Sequence, residues 1–540
     1  MKNKIKKFNR NNIVNIIITL VFALIAYYFV LPPINLSAPA FWTFMFIVYG
    51  FYLLLSFTSL VGFASGNGNV NTLKLSKEFK IMLSIIPIGI GLILIINFIL
   101  SPLFNSKSYA SRIKINEGKD FATEVKPVDF SRVPLLDKES TQKIGDRVMG
   151  EMTDLVSQFT VSNLYTQINY KDSIVRVTPL EYAGLIKYFT NRDEGITGYI
   201  LVDSTNGKAN LVRLEKGMKY MPSAIFNENL TRKLRFSYPT EIFGDYSFEL
   251  DEEGNPYWIV TTIKYSGVGL KEEISGAIIF NPITGESKKY DVEEIPSWVD
   301  HVYNANLILS QVNDWGLYNG GYWNSIFGQK NVVATTTGYN YVAQDDDIYL
   351  YTGITSVASD ESNLGFILTN MRTKETNYYL IPGAEEYSAM ASAEGQVQQM
   401  KYNATFPLLI NLNGKATYLI SLKDNAGLVK MYAFVDVQNY QKVVVTDANE
   451  GIIKAKDNYL KNNNQINNET SLESEVIIKN IYTVMIDGNT YYYFSDNQDK
   501  KYRVSIKINE QVLPFIKIGD KVKIKYVQLE NINEITNLNF

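Results

Sequence analysis

Three charge-free apolar runs near the start of the chain constrain its fold more than any other feature. They are Ile13–Leu31, Phe41–Phe63 and Ile81–Leu100. Each is close to the ~20 residues that a helix needs to cross the ~30 Å hydrocarbon core of a membrane. Because water is absent there, each backbone N–H and C=O must pair within its own segment, and a single run achieves this only as a helix. The sequence therefore predicts three membrane-spanning helices.

Basic residues beside these runs predict the orientation of the chain. They precede the first run and lie in the break before the third: Lys2, Lys4, Lys6, Lys7, Arg10, Lys74, Lys77 and Lys80. By the positive-inside rule this side faces the cytoplasm, so residues after Leu100 are expected outside the cytoplasmic membrane. The runs contain no Asp, Glu, Lys, Arg or His. Since transport paths usually need such groups, the helices are interpreted as an anchor in the lipid bilayer.

Composition narrows the classes of function. The absence of cysteine excludes thiol nucleophiles, disulfides and thiolate metal sites, and in an external domain it fits a bacterium with a single membrane. The net charge of −3 gives no general attraction to nucleic acid, so no such partner is expected. A Ser–His–Asp triad would need His301, the only histidine, with Asp300 and Ser325. Adjacent residues of a helix point apart and no Gly-x-Ser-x-Gly elbow is present, so no catalytic set and no cofactor are predicted.

Shifts in composition divide the chain into six ranges and predict a membrane-anchored α+β fold. The first two are a three-helix anchor, residues 1–101, and a proline-broken stalk, residues 102–136. Two α+β regions of antiparallel sheets with packed helices follow over residues 137–300 and 301–446. Residues 447–474 form a polar linker with too little apolar surface to fold alone. Residues 475–540 are expected to form a small β-barrel.

One motif recurs in the two α+β regions. A glycine is followed by an apolar strand, an Asp or Asn five positions on, a tight turn and a second strand. The copies are Gly198–Lys208, Gly276–Glu286, Gly365–Glu375 and a degenerate Met431–Gln441. Asp and Asn open turns by binding their own following backbone, and a glycine four residues later accepts the left-handed conformation that a hairpin loop needs. Lys374 and Tyr440 replace that glycine in the last two copies.

Helical stretches accompany some of these hairpins. Apolar spacing predicts helices over Asp137–Phe159, with Asp137 and Ser140 at its capped start, and over Pro179–Thr190 and Glu385–Met400. A helix followed by a strand and a closing hairpin such as Val202–Gly207 resembles the PepSY type of small extracytoplasmic module. That resemblance implies inhibition, assembly or regulation of partners in the cell envelope, and no catalytic residues.

A Gly-aromatic segment between the second and third copies holds the candidate binding residues Tyr318, Tyr322 and Trp323. Three interpretations are open: a carbohydrate platform, a surface for a protein partner, or an aromatic cluster buried beneath a loop, of which burial is favoured. Two acidic stretches, Asp251–Asn255 and Asp345–Asp347, suggest either calcium sites or solvated hairpin turns. Neither has the ligand spacing of an EF-hand, which favours turns over a metal site.

The chain ends in short strands separated by Asp-Gly and Gly-Asp turns. The five or six short strands suggest a small barrel, and residues Ile516–Tyr526 resemble the closing strand pair of OB-type barrels. Lys517, Lys521, Lys523 and Lys525 are predicted to lie on its wet face, because apolar residues separate the last three.

These features predict a non-enzymatic cell-envelope membrane protein whose external domains bind, scaffold or regulate another envelope protein. The abundance of strands, aromatic residues and turns without a convergent catalytic set favours this function. Two alternatives remain open. One is a carboxylate-dependent hydrolase of cell-wall glycans, which needs neither histidine nor cysteine. The other is an accessory subunit of a membrane transport complex. The sequence does not fix the oligomeric state.

Overall fold

The computed structural model describes residues 2–65, 77–345, 347–357, 362–462, 471–486, 489–527 and 532–539. The chain divides into two compact units, Met1–Val443 and Val444–Phe540. Three long apolar helices begin the first unit: α1 (Lys2–Val30), α2 (Pro39–Ser65) and α3 (Lys77–Ile99). Each is long and apolar enough to cross a membrane, which confirms the prediction of three such helices. Lys74 lies outside the described residues.

The shorter helices of the first unit are interspersed with groups of strands along the chain. They are α4 (Pro102–Ala110), α5 (Phe121–Glu124), α6 (Lys138–Glu151), α7 (Leu185–Asn191), α8 (Leu230–Ser237), α9 (Ala305–Tyr318) and α10 (Glu386–Gln396). Strand β1 (Ile115–Lys119) lies between α4 and α5.

The remaining strands of the first unit belong to four modules, each of which begins with a helix. Module 1 has α6, α7, β2 (Phe159–Val161), β3 (Thr166–Tyr170), β4 (Ser173–Tyr182), β5 (Ile196–Asp203) and β6 (Ala209–Met218). Module 2 has α8, β7 (Ile242–Leu250), β8 (Pro256–Lys264), β9 (Glu273–Phe280) and β10 (Ser287–Asp291).

Modules 3 and 4 follow the same plan. Module 3 has α9, β11 (Val333–Thr335), β12 (Asn340–Gln344), β13 (Asp347–Ser356), β14 (Ser362–Asn370), β15 (Thr376–Tyr379) and β16 (Gly383–Ala384). Module 4 has α10, β17 (Asn403–Ala404), β18 (Leu408–Leu412), β19 (Lys415–Lys423) and β20 (Val429–Asp436). Strand β21 (Val443–Asp447) begins where the first unit ends.

All four modules share one sheet topology. In modules 1, 3 and 4 the first strand is divided into two short pieces that both pair with the next long strand: β2 and β3 with β4, β11 and β12 with β13, and β17 and β18 with β19. Module 2 has a single first strand, β7, with a bulge between Phe243 and Tyr246. The next strands then run back and forth in chain order. The sequence motif therefore marks the end of a larger repeat.

The turn of the motif has the predicted geometry. Asp203, Asn281 and Asn370 each accept backbone N–H groups from the residues two and three positions on. The residue four positions on, Gly207, Gly285 or Lys374, then returns its own N–H to the Asx carbonyl at 2.9 Å with a left-handed φ of 73°, 76° or 66°. The first glycine of each copy is also explained, because a Cβ there would clash with a carbonyl of the partner strand.

The fourth copy lacks both glycines and has a longer loop. Asp436 binds the following backbone as the others do, but its own N–H closes on the carbonyl of Lys442, six residues away rather than five. The longer loop relieves the need for a left-handed residue, so Tyr440 is tolerated where the other copies have Gly or Lys.

Two helix predictions need correction. Helix α6 starts as predicted, with Asp137 capping the N–H of Ser140, but it ends at Glu151 and Phe159 belongs to β2. The helix predicted over Pro179–Thr190 is wrong over its first residues, which complete β4. Because β4 is buried on both faces, its apolar run follows no strict alternation and mimics a helical pattern. Helix α10 lies within the predicted Glu385–Met400.

Residues 102–136, predicted as a stalk, pack against the modules. Strand β1 pairs in parallel with β15, and Tyr109, Ile113 and Phe121 are buried. The Arg112 guanidinium forms ion pairs with Glu273 and Asp314 at 3.3 and 2.5 Å. Pro102, one of the prolines that suggested an extended stalk, instead begins α4, because it occupies the first turn, where no N–H is needed.

The second unit is a small closed barrel preceded by α11 (Ile452–Asn462). Its strands are β22 (Ser471–Ile486), β23 (Asn489–Asp496), β24 (Lys501–Ser505), β25 (Lys521–Val527) and β26 (Asn533–Asn539), and they close in the order β22, β23, β24, β26, β25. Strand β22 has a bulge between Ile478 and Asn480. Val522, Ile524 and Tyr526 are buried, while Lys521 and Lys525 pair with Glu475 and Glu473 on the wet face. The predicted Asp487-Gly488 turn lies outside the described residues.

The repeated turn predicts that two glycine-to-alanine substitutions have different effects on the stability of the protein. Gly207→Ala forces a Cβ into a left-handed conformation and should destabilise the protein by about 1–2 kcal/mol. Gly150→Ala, inside α6 with open space around it, should be neutral or slightly stabilising. The midpoint of heat denaturation in detergent, followed by tryptophan fluorescence, compares the two. Equal midpoints for both variants would contradict the assigned turn.

Candidate functional site

The predicted residues Tyr318, Tyr322 and Trp323 lie together on an exposed aromatic surface. Tyr318 stacks on Tyr322 with ring centroids 6.3 Å apart, Tyr322 meets Trp323 edge to face at 5.5 Å, and Trp323 stacks on Phe327 at 5.8 Å. Trp323 is 62 % exposed and Phe327 77 % exposed. The favoured interpretation, a cluster buried beneath a loop, is therefore wrong for Trp323, and Phe327 beside it is also exposed. We call Tyr318, Tyr322, Trp323, Ile326 and Phe327 the aromatic surface.

A local turn holds the outer part of this surface. Residues Asn324–Gly328 form one π-helical turn after α9. The Asn324 side chain fixes it by donating to the carbonyl of Lys330 and accepting the N–H of the same residue. Sequence reasoning missed Ile326 and Phe327, although two apolar residues directly after Trp323-Asn-Ser in a glycine-rich segment were the available signal.

The aromatic surface lies close to the end of α3. The Tyr109 hydroxyl donates to the carbonyl of Leu100, directly after α3, at 3.2 Å. The Tyr109 ring meets that of Tyr318 edge to face at 6.2 Å. One buried tyrosine thus separates the end of an apolar helix from the first ring of the surface. Phe104, on α4, is 60 % exposed, and its ring meets that of Phe98 on α3 at 5.3 Å.

A cleft of about 520 Å³ lies where the four modules meet. Each module lines it at the break or bulge in its first strand, and each contributes an aromatic ring there: Tyr165, Tyr246, Tyr339 and Phe406. Breaks and bulges in strands redirect side chains away from the regular pleat. The four equivalent irregularities therefore direct side chains into the same cleft. Sequence reasoning missed this cleft because the irregularities can be recognised only when the strand pairing is known.

Polar groups in the cleft come mainly from module 1 and from the loop before α9. Arg176 on β4 faces Gln167 on β3, and its Nη2 donates to the Gln167 Oε1 at 2.8 Å. His301 lies in the same cleft, where its Nε2 donates to the Gln167 carbonyl at 2.6 Å and its ring meets Tyr341 edge to face at 5.6 Å. Asp245 on the bulge of β7 is exposed on the cleft wall.

The residues of a hypothetical serine triad have other roles. The Ser325 hydroxyl donates to the carbonyl of Tyr322 within the aromatic surface. The Asp300 carboxylate accepts the N–H of Asn169, and His301 faces the Gln167 carbonyl. These partners do not assemble a nucleophile beside a base.

The described residues of the acidic stretches lie in turns or at the start of a strand: Asp251 opens a turn, Asp345 has a left-handed φ of 55° in the turn after β12, and Asp347 begins β13. Asp251 accepts the N–H of Asn255 at 2.7 Å, and Asp347 pairs with Arg372 at 2.8 Å. Within the described ranges, which leave out Asp346, no group of three or more His, Asp or Glu side chains is arranged to hold a metal ion.

An ion pair borders the cleft and joins modules 1 and 4. The largely buried Lys423 ammonium lies 2.7 Å from Asp137 and 2.9 Å from Glu139. Burial opposes ionisation of Asp137, but hydrogen bonds from Lys423 and Ser140 outweigh it and hold the pKa of that carboxyl below its usual value. The same pairing raises the pKa of Lys423 against the opposing effect of burial. The pair is ionised at neutral pH.

No model of a known protein family matches this chain, and no curated protein matches it.

The Asp137 carboxylate predicts a specific dependence of stability on pH. Its depressed pKa adds stability above its ordinary value of 3.8, and that stability is lost as the pH falls through the lower value of the folded state. Asp137→Asn keeps a side chain that caps a helix and removes the charge. The variant should denature at a lower temperature than wild type at pH 7, with the gap closing below about pH 4. A gap that stays constant from pH 7 to pH 3 would contradict the ion pair.

Proposed function

We propose that this protein is a membrane-anchored binding protein of a bacterial cell envelope, and that its aromatic surface binds another envelope protein. The observation that carries the proposal is the aromatic surface itself. Its rings contact one another, Trp323 and Phe327 are exposed to solvent, and it lies close to the end of α3. Tyrosine and tryptophan dominate the energetics of protein interfaces because they bury large rigid surfaces. Exposed contiguous apolar patches commonly mark such sites.

Helices α1, α2 and α3 anchor the protein in the cytoplasmic membrane. Their side chains are largely exposed and apolar, as lipid requires. The basic residues at the starts of α1 and α3 favour a cytoplasmic location for those ends, and on this proposal the four modules and the barrel lie outside. Module 2 contacts α1 and α3 at their C-terminal ends. These contacts support this arrangement, since they hold the modules against the outer surface of the cytoplasmic membrane.

A protein is favoured over lipid as the occupant of the aromatic surface. Residues 316–329 contain no lysine or arginine. Surfaces that bind membranes peripherally usually combine apolar residues with basic ones that attract anionic headgroups. Because α3 ends near the aromatic surface, the partner is also expected at the outer surface of the cytoplasmic membrane. There an external segment of the partner would contact the aromatic rings.

The module plan and the barrel support a role in binding. A helix followed by an antiparallel sheet with a closing Asx hairpin is the order expected of PepSY-like modules, and here it occurs four times. The barrel closes with β24 and β26 in parallel, an arrangement consistent with an OB-like barrel. On this proposal the modules act as inhibitors, assembly factors or regulators of the envelope partner.

Photo-crosslinking in cells tests the proposal. A photoreactive amino acid at Phe327 should yield one discrete protein adduct, whereas the same group at Leu428, an exposed apolar residue in a turn of module 4, should not. Trp323→Ala should weaken capture of the partner about 30-fold, since removing a central interface tryptophan costs about 2 kcal/mol. Trp323→Phe should retain most of the binding.

Two results would refute the proposed partner. One is a set of adducts at Phe327 that contains only lipid. The other is an adduct that forms equally from Phe327 and Leu428, because such an adduct would reflect collision and not a specific surface.

A further inference from the structure

We propose that the cleft between the modules binds a small ligand that carries an oxyanion group, a carboxylate or a phosphate, and that Arg176 binds this group. This site is distinct from the aromatic surface, and nothing in the argument depends on the protein partner.

Arg176 is buried without the partners that a buried charge requires. Its side chain lines the cleft, and the residue is only 9 % exposed. Of its five N–H donors, one reaches a neutral acceptor, the Gln167 Oε1, and its Nε is buried with no partner. No carboxylate among the described residues lies within ion-pairing distance of its guanidinium. Burial lowers the pKa of Arg176 to about 10, although the Asp137 carboxylate at the border of the cleft opposes this effect without an ion-pair contact.

Two other buried arginines show what full pairing looks like in this protein. Arg112 binds Glu273, Asp314 and the Glu272 carbonyl. Arg235 donates to the carbonyls of Leu31, Tyr238, Pro239 and Glu241. A buried charge without an ion-pair partner is costly, and a ligand that supplies the partner removes this cost. Of these arginines, Arg176 has the fewest partners.

The surroundings of Arg176 suit a small anionic molecule. A planar guanidinium with free donors on one edge matches the two oxygens of a carboxylate or phosphate. Beside it the Gln167 Nε2 is a second buried donor without a partner. The rings of Tyr165, Tyr246, Tyr339 and Phe406 provide apolar walls from all four modules. A volume of about 520 Å³ lies within the usual range of small-molecule pockets, roughly 300–1,000 Å³.

The repeat explains why one arginine suffices. Because each module presents its first-strand irregularity to the same cleft, the apolar walls come from four equivalent places, whereas Arg176 comes from β4 of module 1, where it pairs with Gln167 of β3. Asp245, at the irregularity of module 2, carries the opposite charge on the cleft wall. This carboxylate disfavours highly charged ligands and provides a control of opposite sign.

Binding of two probes to the full-length protein in detergent tests the proposal. Inorganic phosphate and succinate are titrated by calorimetry against wild type, Arg176→Met, Arg176→Lys and Asp245→Asn. Wild type should bind at least one probe, and which one it binds identifies the oxyanion. Arg176→Met should weaken that binding at least 100-fold, and Arg176→Lys about 10-fold, because lysine keeps the charge but loses the fork. Asp245→Asn should bind as tightly as wild type or more tightly.

Heat denaturation without any probe gives an independent readout. Replacing an uncompensated buried charge by an apolar side chain of similar length should raise the denaturation midpoint of Arg176→Met above that of wild type. An arginine with a structural role would give a lower midpoint, which would overturn the proposal. So would failure of wild type to bind either probe, or binding by Arg176→Met with the affinity of wild type.

Discussion

The carbonyl groups at the end of α1 hold module 2, and through it the rest of the first unit, against the apolar helices. The last turn of a helix leaves carbonyls without partners and carries partial negative charge. Two arginines of α8 satisfy that end: Arg232 Nε donates to the carbonyl of Tyr28 and Arg235 Nε to that of Leu31. The end of α3 is fixed by a reciprocal pair between the Asn97 side chain and the backbone of Val268. Module 2 therefore holds the ends of two apolar helices, and Arg112 joins module 2 to α9 of module 3.

Repetition then produces a site that no single module contains. Each Asx turn closes a hairpin of the same length, apart from the longer fourth loop, so the sheets remain similar despite divergent sequences. Lys374 shows how far the motif can change, because its ammonium binds Glu273 and the Arg112 carbonyl while its backbone takes the conformation usually left to glycine. The irregular first strands meet at the cleft, whereas the aromatic surface belongs to module 3 alone.

The sequence predicted the features that depend on local chemistry. The apolar helices, the cap at Asp137, the Asx turns and the alternating lysines of the barrel follow from neighbouring residues. Features that depend on pairing between distant residues were not predicted. They are the parallel pairing of β1 with β15, the cleft, and the buried strand β4, which was assigned in part to a helix. Tyr318, Tyr322 and Trp323 were identified as candidates, but their exposure depends on the π-helical turn after α9. Arg176 gave no signal, since its isolation appears only when β3 and β4 pair.

Accessibility of single cysteines tests the orientation on which the account depends. The chain has no cysteine, so each introduced thiol reports one position. Lys216→Cys places a thiol on the exposed side of β6 in module 1, and Lys80→Cys places one in the first turn of α3. A membrane-impermeant maleimide should label Lys216→Cys on intact cells and Lys80→Cys only after permeabilisation. Labelling of Lys80→Cys alone on intact cells, or of both variants equally, would contradict the orientation.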